Sequence, residues 1–94
     1  MKRWRQYLEY AYTASDVHSD KDFSTLQGCL TLVMVHYVKH KDAIEKKGIE
    51  FEEKLFFMEQ FGILCIYYDA IGDQTLSKLY DNWRVYWLWD INRK

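Results

Sequence analysis

The stretch FFMEQFGILCIYY, residues 56–68, carries the strongest structural signal in this sequence. Glu59 is its only formal charge, and apolar side chains occur on almost every side of a helix drawn through it. A helix that is apolar all round is normally covered by neighbours on all sides. We therefore expect a central helix from about residue 49 to residue 71, with glutamates in its first turn where the helix dipole favours negative charge.

Signals on both sides of this segment predict further helices. Gly72 ends the central helix, and Asp73 can cap the next one, which we expect over about 74–92. Upstream, a helix over about 2–13 is indicated by one apolar stripe: Trp4, Tyr7, Leu8, Ala11 and Tyr12. The polar stretch 15–22 follows it as a linker.

The region after the linker has two interpretations. Ser19 is suited to cap a helix that runs to a glycine at position 48. The stretch CLTLVMVHYV, residues 29–38, is rich in β-branched residues and is also compatible with a buried strand. We favour a helix, because the i, i+3, i+4 spacing continues on both sides of it. The predicted apolar stripe is Phe23, Leu26, Leu30, Val33, Met34 and Tyr37, with Ile44 farther on. The prediction is an all-α bundle of about four helices in one domain, residues 1–94, with α+β as the alternative.

Length and composition exclude several classes of protein. The chain has 94 residues, 49% of them apolar, which suffices for a core. Its 13 basic and 14 acidic residues nearly cancel, which excludes a strongly basic nucleic-acid clamp and a strongly acidic DNA mimic. Proline is absent, which favours long helices. Aromatic residues are abundant: four Trp, eight Tyr and five Phe, or 18% of the chain.

Neither export nor membrane insertion is indicated. Glu9 interrupts the apolar stretch that a signal peptide would need. The longest uncharged run, residues 23–38, is shorter than the roughly 20 apolar residues of a membrane span. Cys29 and Cys65 lie in separate apolar runs and are expected to be buried free thiols. We expect a soluble, cytoplasmic protein.

Motifs for catalysis or cofactor binding are weak. His36 and His40 would share one face of a helix, but Lys39 and Lys41 flank His40 and would repel a divalent cation. The chain has no GxSxG element and no glycine-rich phosphate loop. We expect no metal, no cofactor and no enzymatic activity.

One charged pair is expected inside the helical core. Glu59 lies on the most apolar predicted helix, and Arg84 interrupts the apolar stretch 83–89. A buried carboxylate needs a cation, several hydrogen-bond donors or a proton. We therefore predict a structural ion pair between Glu59 and Arg84.

The last predicted helix carries the clearest functional pattern. Its core-facing stripe is expected to be Leu76, Tyr80, Trp83, Trp87 and Ile91. Another set points elsewhere and cannot be covered by the same short chain: Val85, Tyr86, Leu88 and Trp89. Large exposed aromatic residues are typical of binding surfaces. We expect these residues to bind a partner; the alternatives are that they fold under the first helix or rest on a membrane surface.

The C-terminal half resembles a family of small helical bacterial and prophage proteins of unassigned function. The resemblance covers about the last 45 residues, and LYDNWRVYW, residues 79–87, is its closest stretch. The matching positions are Phe57, Glu59, Gly72, Asp73, Tyr86 and Trp87. The resemblance implies an α-helical hairpin of phage or mobile-element type and assigns no activity.

Three functional hypotheses follow from these patterns. The first is an interaction protein, itself a homodimer or the subunit of something larger, that regulates or inhibits a larger protein or complex. Peripheral basic residues would orient it: Lys2, Arg3, Arg5 and Arg93. The second is a receptor for a planar, nucleotide-like ligand at an oligomer interface, lined by Tyr7, Tyr37, Tyr67 and Tyr80. The third and weakest is nucleic-acid contact through Lys2, Arg3 and Arg5.

Overall fold

The structure, a computed structural model, describes residues 2–93, with the side chains of residues 4–93. Within this range all regular secondary structure is helical. The helices are α1 (Lys2–Ala14), α2 (Asp20–Lys39), α3 (Lys41–Lys47), α4 (Phe51–Ala70) and α5 (Gln74–Asn92). The all-α prediction is confirmed. The alternative of a strand at 29–38 is wrong, because α2 runs through that segment.

The second predicted helix is divided at His40. This residue has φ −122° and ψ 31°, outside the helical region, so α2 ends there and α3 begins. Helical hydrogen bonds of 3.0 Å continue on both sides, from the His40 amide to His36 and from the Ile44 amide to His40. The Tyr37 hydroxyl spans the bend and donates to Glu45 Oε1 at 2.8 Å. The described chain therefore has five helices instead of four.

The helix ends follow the predicted capping chemistry. Ser19 Oγ accepts a hydrogen bond from the Asp22 amide at 3.4 Å, and Asp73 Oδ1 accepts one from the Leu76 amide at 3.1 Å. Gly48 and Gly72 follow the helices with φ angles of 97° and 87°, which only glycine adopts without strain.

The chain forms two compact units, Met1–Gly48 and Ile49–Lys94. In the first unit α1 packs against α2, and α3 contacts the end of α2. The buried apolar residues of this unit are Trp4, Leu8, Ala11, Leu26, Leu30, Val33, Met34, Tyr37 and Ile44. They all lie on the predicted stripes, of which Tyr7 and Phe23 are only half-buried and Tyr12 is exposed. The assignment of residues 1–94 to a single domain stays a prediction.

In the second unit α4 and α5 form an antiparallel hairpin around Gly72. Phe57 contacts Trp87 with 5.0 Å between ring centroids, and Phe61 stacks on Trp83 at 6.1 Å. The two members of each pair lie equally far from Gly72 along the chain. One constant register therefore brings the aromatic residues together in layers. Tyr80 and Trp87 are buried, as predicted, and the rest of the stripe is half-buried: Leu76, Trp83 and Ile91.

The expectation that the central helix is covered on all sides is wrong for one face of α4. Within its unit this helix has a single neighbour, α5. The face turned away from α5 carries Ile63 and Ile66, and Ile66 is 72% exposed. A helix with one neighbour buries one stripe, whatever the composition of its other faces.

We predict that Trp87→Ala lowers the free energy of unfolding by about 3–5 kcal/mol, because it removes a fully buried ring that packs on Phe57. Urea unfolding followed by far-UV circular dichroism measures this change. Trp89→Ala is the matched control: Trp89 is 58% exposed, and its loss should cost less than about 1 kcal/mol. Equal costs for the two variants would contradict this core assignment.

Candidate functional site

The outward face of α5 presents the predicted partner-binding residues. Val85, Leu88 and Trp89 are exposed there, and Tyr86 is half-buried. Tyr86 makes edge contacts with Trp83 and Trp87, at centroid distances of 5.5 and 5.1 Å. We call Val85, Tyr86, Leu88 and Trp89 the α5 patch. Val85, Leu88 and Trp89 lie on the outward face of α5, and Tyr86 lies at the edge of that face. Their binding role stays a prediction.

The α5 patch is held on a rigid support. Its helix buries Tyr80 and Trp87 against α4, so the outward side chains project from a packed element and not from a loop. Side chains three and four positions apart share a helical face, which fixes the spacing of Val85, Leu88 and Trp89. A pre-arranged surface of this kind loses little conformational entropy when it binds.

A chain of charged groups leads from α4 to the indole of Trp89. Lys54 Nζ lies 2.7 Å from Asp90 Oδ2, and Arg93 Nη2 donates to Asp90 Oδ1 at 3.1 Å. The guanidinium carbon of Arg93 lies 5.2 Å from the ring centroid of Trp89, a cation–π arrangement. Asp90 is buried and Lys54 is only a quarter exposed. The buried carboxylate therefore positions Arg93 above the exposed ring.

The predicted basic residues are distributed between the two units. Arg5 is exposed on α1, in the first unit, and Arg93 lies beside Trp89 in the second. The side chains of Lys2 and Arg3 lie outside the described residues. Within the second unit, Arg93 lies at the α5 patch.

The predicted ion pair between Glu59 and Arg84 does not form. Glu59 is exposed on the face of α4 turned away from α5. Arg84 instead binds Asp81 on its own helix, with Nη2 2.7 Å from Oδ1. Its aliphatic stem lies against α4, where a Cβ built on Gly62 would meet Arg84 Cδ at 3.4 Å. The prediction is wrong because α4 packs its opposite face against α5, which leaves Glu59 in solvent.

The four tyrosines of the ligand hypothesis are divided between the units. Tyr7 and Tyr37 belong to the first, Tyr67 and Tyr80 to the second, and Tyr37 and Tyr80 are buried. An open depression of about 350 Å³ lies between α1 and α2, near the lower limit for a ligand pocket. None of those four tyrosines lines it; its residues are Tyr10, Thr13, Ala14, Asp16, Asp22, Thr25 and Cys29.

The two histidines meet as their spacing predicts. The ring centroids of His36 and His40 are 4.6 Å apart. His36 is buried and also contacts Trp4 and Tyr7, at 6.3 and 5.4 Å, so the pair belongs to an aromatic cluster of the first unit. Over residues 2–93, no group of three or more His, Cys, Asp or Glu side chains is placed to hold a metal ion.

Comparison with models of known protein families, with curated proteins and with solved structures finds no match for this chain. The resemblance to small bacterial and prophage proteins therefore stays a prediction. None of the helices between residues 2 and 93 combines the length and apolarity needed to cross a bilayer.

Sequence reasoning missed the ion pair that matters most at this site. Lys54 and Asp90 lie equally far from Gly72, as do the packed rings Phe57 and Trp87. Because the sequence predicts a turn at Gly72, this equal spacing is a signal in the sequence from which the pair can be found. The exposed aliphatic residues of α2 and α4 were also missed, because periodicity alone does not show how many neighbours a helix has.

We predict that Asp90→Ala destabilises the protein by about 3 kcal/mol, because Lys54 is then left without its carboxylate in a partly buried position. Urea unfolding monitored by circular dichroism gives the value. The double variant Lys54→Met/Asp90→Leu removes both charges and should recover most of the loss. Asp81→Ala, which breaks the more exposed pair with Arg84, is the control and should cost less than about 1 kcal/mol. If both single variants cost the same, Asp90 has no special structural role.

We also predict that the Cys29 thiol reacts slowly with alkylating reagents in the folded protein. Cys29 is half-buried, and burial raises the pKa of its thiol because the charged thiolate is poorly solvated there. In a Cys65→Ser background, iodoacetamide should alkylate Cys29 more slowly in the folded protein than in urea. The alkylation rate of Cys29 increases as its thiol ionises, and this increase should occur at higher pH in the folded protein than in urea. Identical pH profiles in the two states would rule out this effect of burial.

Proposed function

We propose that this protein is a non-enzymatic interaction protein that binds a larger protein or complex through the α5 patch. By occupying a surface that the partner needs for its own activity, it regulates or inhibits that partner. The observation that carries the proposal is the position of Trp89, which is 58% exposed on a rigid helix beside an arginine held in place.

The residue types of the α5 patch support a protein partner. Trp, Tyr and Arg are the side chains that most often dominate the free energy of protein–protein binding. Val85 and Leu88 add aliphatic surface beside Trp89, so that a partner would cover a continuous apolar area. Adjacent exposed apolar side chains of this kind are typical of surfaces that bind another protein.

The charges beside the α5 patch suggest the chemistry of the partner's surface. Arg93 is 56% exposed, and its hydrogen bond to Asp90 uses one of its five N–H donors. A matching site would combine an apolar pocket for the indole with carboxylate or carbonyl oxygens at the edge that meets Arg93. Such charge complementarity orients the complex and adds specificity.

We predict that Trp89→Asp weakens binding by at least about 30-fold, because it replaces the central ring of the surface by a charge. Partners captured by the tagged wild-type protein from cells that express it are identified by quantitative mass spectrometry. Binding of the purified partner is then measured by isothermal titration calorimetry for wild type and variant.

Leu79→Asp is the matched control for this experiment. Leu79 is 45% exposed on the same helix and lies about 15 Å along the axis from Trp89. Leu79→Asp therefore also replaces an exposed apolar side chain by a carboxylate, but at a position away from Trp89. Affinity should stay close to that of the wild type. The proposal fails if the same partners bind wild type and Trp89→Asp equally, with both variants folded by circular dichroism.

A further inference from the structure

A second exposed apolar surface lies on α2, in the first unit. Leu32, Val35 and Val38 project from it, and Val35 and Val38 are 60% and 61% exposed. The sequence has no charged residue from 23 to 38, so the surface extends about 22 Å along the helix without a charge. Three large aliphatic residues on one uncharged helix face are more than a folded chain normally leaves in water.

The spacing on this face is that of a helix-packing seam. Its residues alternate in steps of four and three: Ser24, Gly28, Thr31, Val35 and Val38. The same alternation places the a and d residues of a coiled coil against a neighbouring helix. We call these five residues and Leu32 the α2 seam.

Gly28 gives the α2 seam a point of close approach. A glycine inside a helix costs about 1 kcal/mol relative to alanine. A Cβ built at this position would meet no atom within 4 Å, so packing in the structure does not require a glycine here. A second helix that crosses the seam would favour a glycine here, because the missing Cβ lets two backbones approach closely.

The charges around the α2 seam indicate what covers it. Reversing the seam about its middle, between Thr31 and Leu32, brings Gly28 opposite Val35 and Ser24 opposite Lys39, the last residue of α2. The acidic first turn of α2, with Asp20 and Asp22, would then lie next to the basic C-terminal end of the other helix, which carries Lys39. Antiparallel α2 helices thus complement one another in charge and in dipole.

The exposed face of α4 lacks this property. Its two ends carry Glu52 and Asp69, both exposed, and Glu59 lies near its middle. Reversing this helix on itself would place acidic residues beside acidic residues. Self-association is therefore favoured on α2 and disfavoured on α4.

We infer that the α2 seam is covered by a second copy of this chain, which packs antiparallel across a two-fold axis between Thr31 and Leu32. This dimer uses a different unit from the α5 patch and is independent of the proposed function. Residues near the axis contact their own counterparts, as in any two-fold symmetric interface.

Disulfide cross-linking of single-cysteine variants tests the position of the axis. In a Cys29→Ser/Cys65→Ser background, Thr31→Cys places two thiols across the axis, where diamide should oxidise them to a disulfide-linked dimer. Ser24→Cys is the control: its two copies would lie about 22 Å apart along the helices and should not react. A parallel dimer would link both variants with equal ease, and that result would overturn the inference.

Charge substitution tests the interface without oxidation. Sedimentation velocity of the wild type should show twice the 11.5 kDa mass of one chain. Val35→Asp, at a site exposed in the protomer, should raise the dimer dissociation constant at least about 100-fold, because two buried carboxylates would face the seam. Val85→Asp, in the α5 patch, should leave the dimer intact. A wild type that is monomeric at all concentrations, or a Val35→Asp dimer as tight as the wild type, would refute the inference.

Discussion

Two helices that pack only against one another can each bury a single face. In the second unit this constraint decides which apolar side chains stay exposed. Phe57, Phe61, Tyr80 and Trp87 fill the seam between α4 and α5. The other apolar side chains of these helices have no interior to enter. Ile66 on α4 and Trp89 on α5 are exposed for this reason, although their sequence surroundings are as apolar as those of buried residues. The available interior, and not the composition, sets how much apolar surface remains accessible.

The buried carboxylate of Asp90 links the stability of this hairpin to its exposed surface. It is bound by Lys54 of α4 and by Arg93, which directly follows α5, and Arg93 in turn covers one face of Trp89. The same ion pair therefore fastens the ends of the hairpin and orients the side chains of the α5 patch. A binding surface gains from such support, because its side chains are ordered before the partner arrives.

The two exposed surfaces differ in the partners that they suit. The α2 seam combines aliphatic and small side chains, has acidic residues at one end and basic residues at the other, and would complement itself in an antiparallel pair. The α5 patch is aromatic with one adjacent arginine and has no such internal symmetry. A dimer formed through the α2 seam would carry two α5 patches, and two linked binding sites hold a multivalent partner more tightly than one.

Local patterns predicted much of the helical structure. Ser19 and Asp73 cap helices as expected, and the periodic stripes identified the buried residues of α1, α2 and α5. The break at His40 was not predicted, because neither proline nor glycine marks it. Val85, Leu88 and Trp89 of the α5 patch are exposed, since they fall opposite the buried stripe of the same helix, whereas Tyr86 is half-buried.

Helix formation, capping and amphipathicity depend on residues within a few positions of each other, so they can be recognised in the order of the amino acids. Charge pairing depends on which faces two helices turn towards one another. Glu59 and Arg84 had the right charges, yet the burial of the opposite face of α4 left Glu59 in solvent and Arg84 with Asp81. The hairpin register brought Lys54 to Asp90 instead. A rotation of one helix by a single residue, about 100°, would change every such pair while leaving the local patterns unchanged.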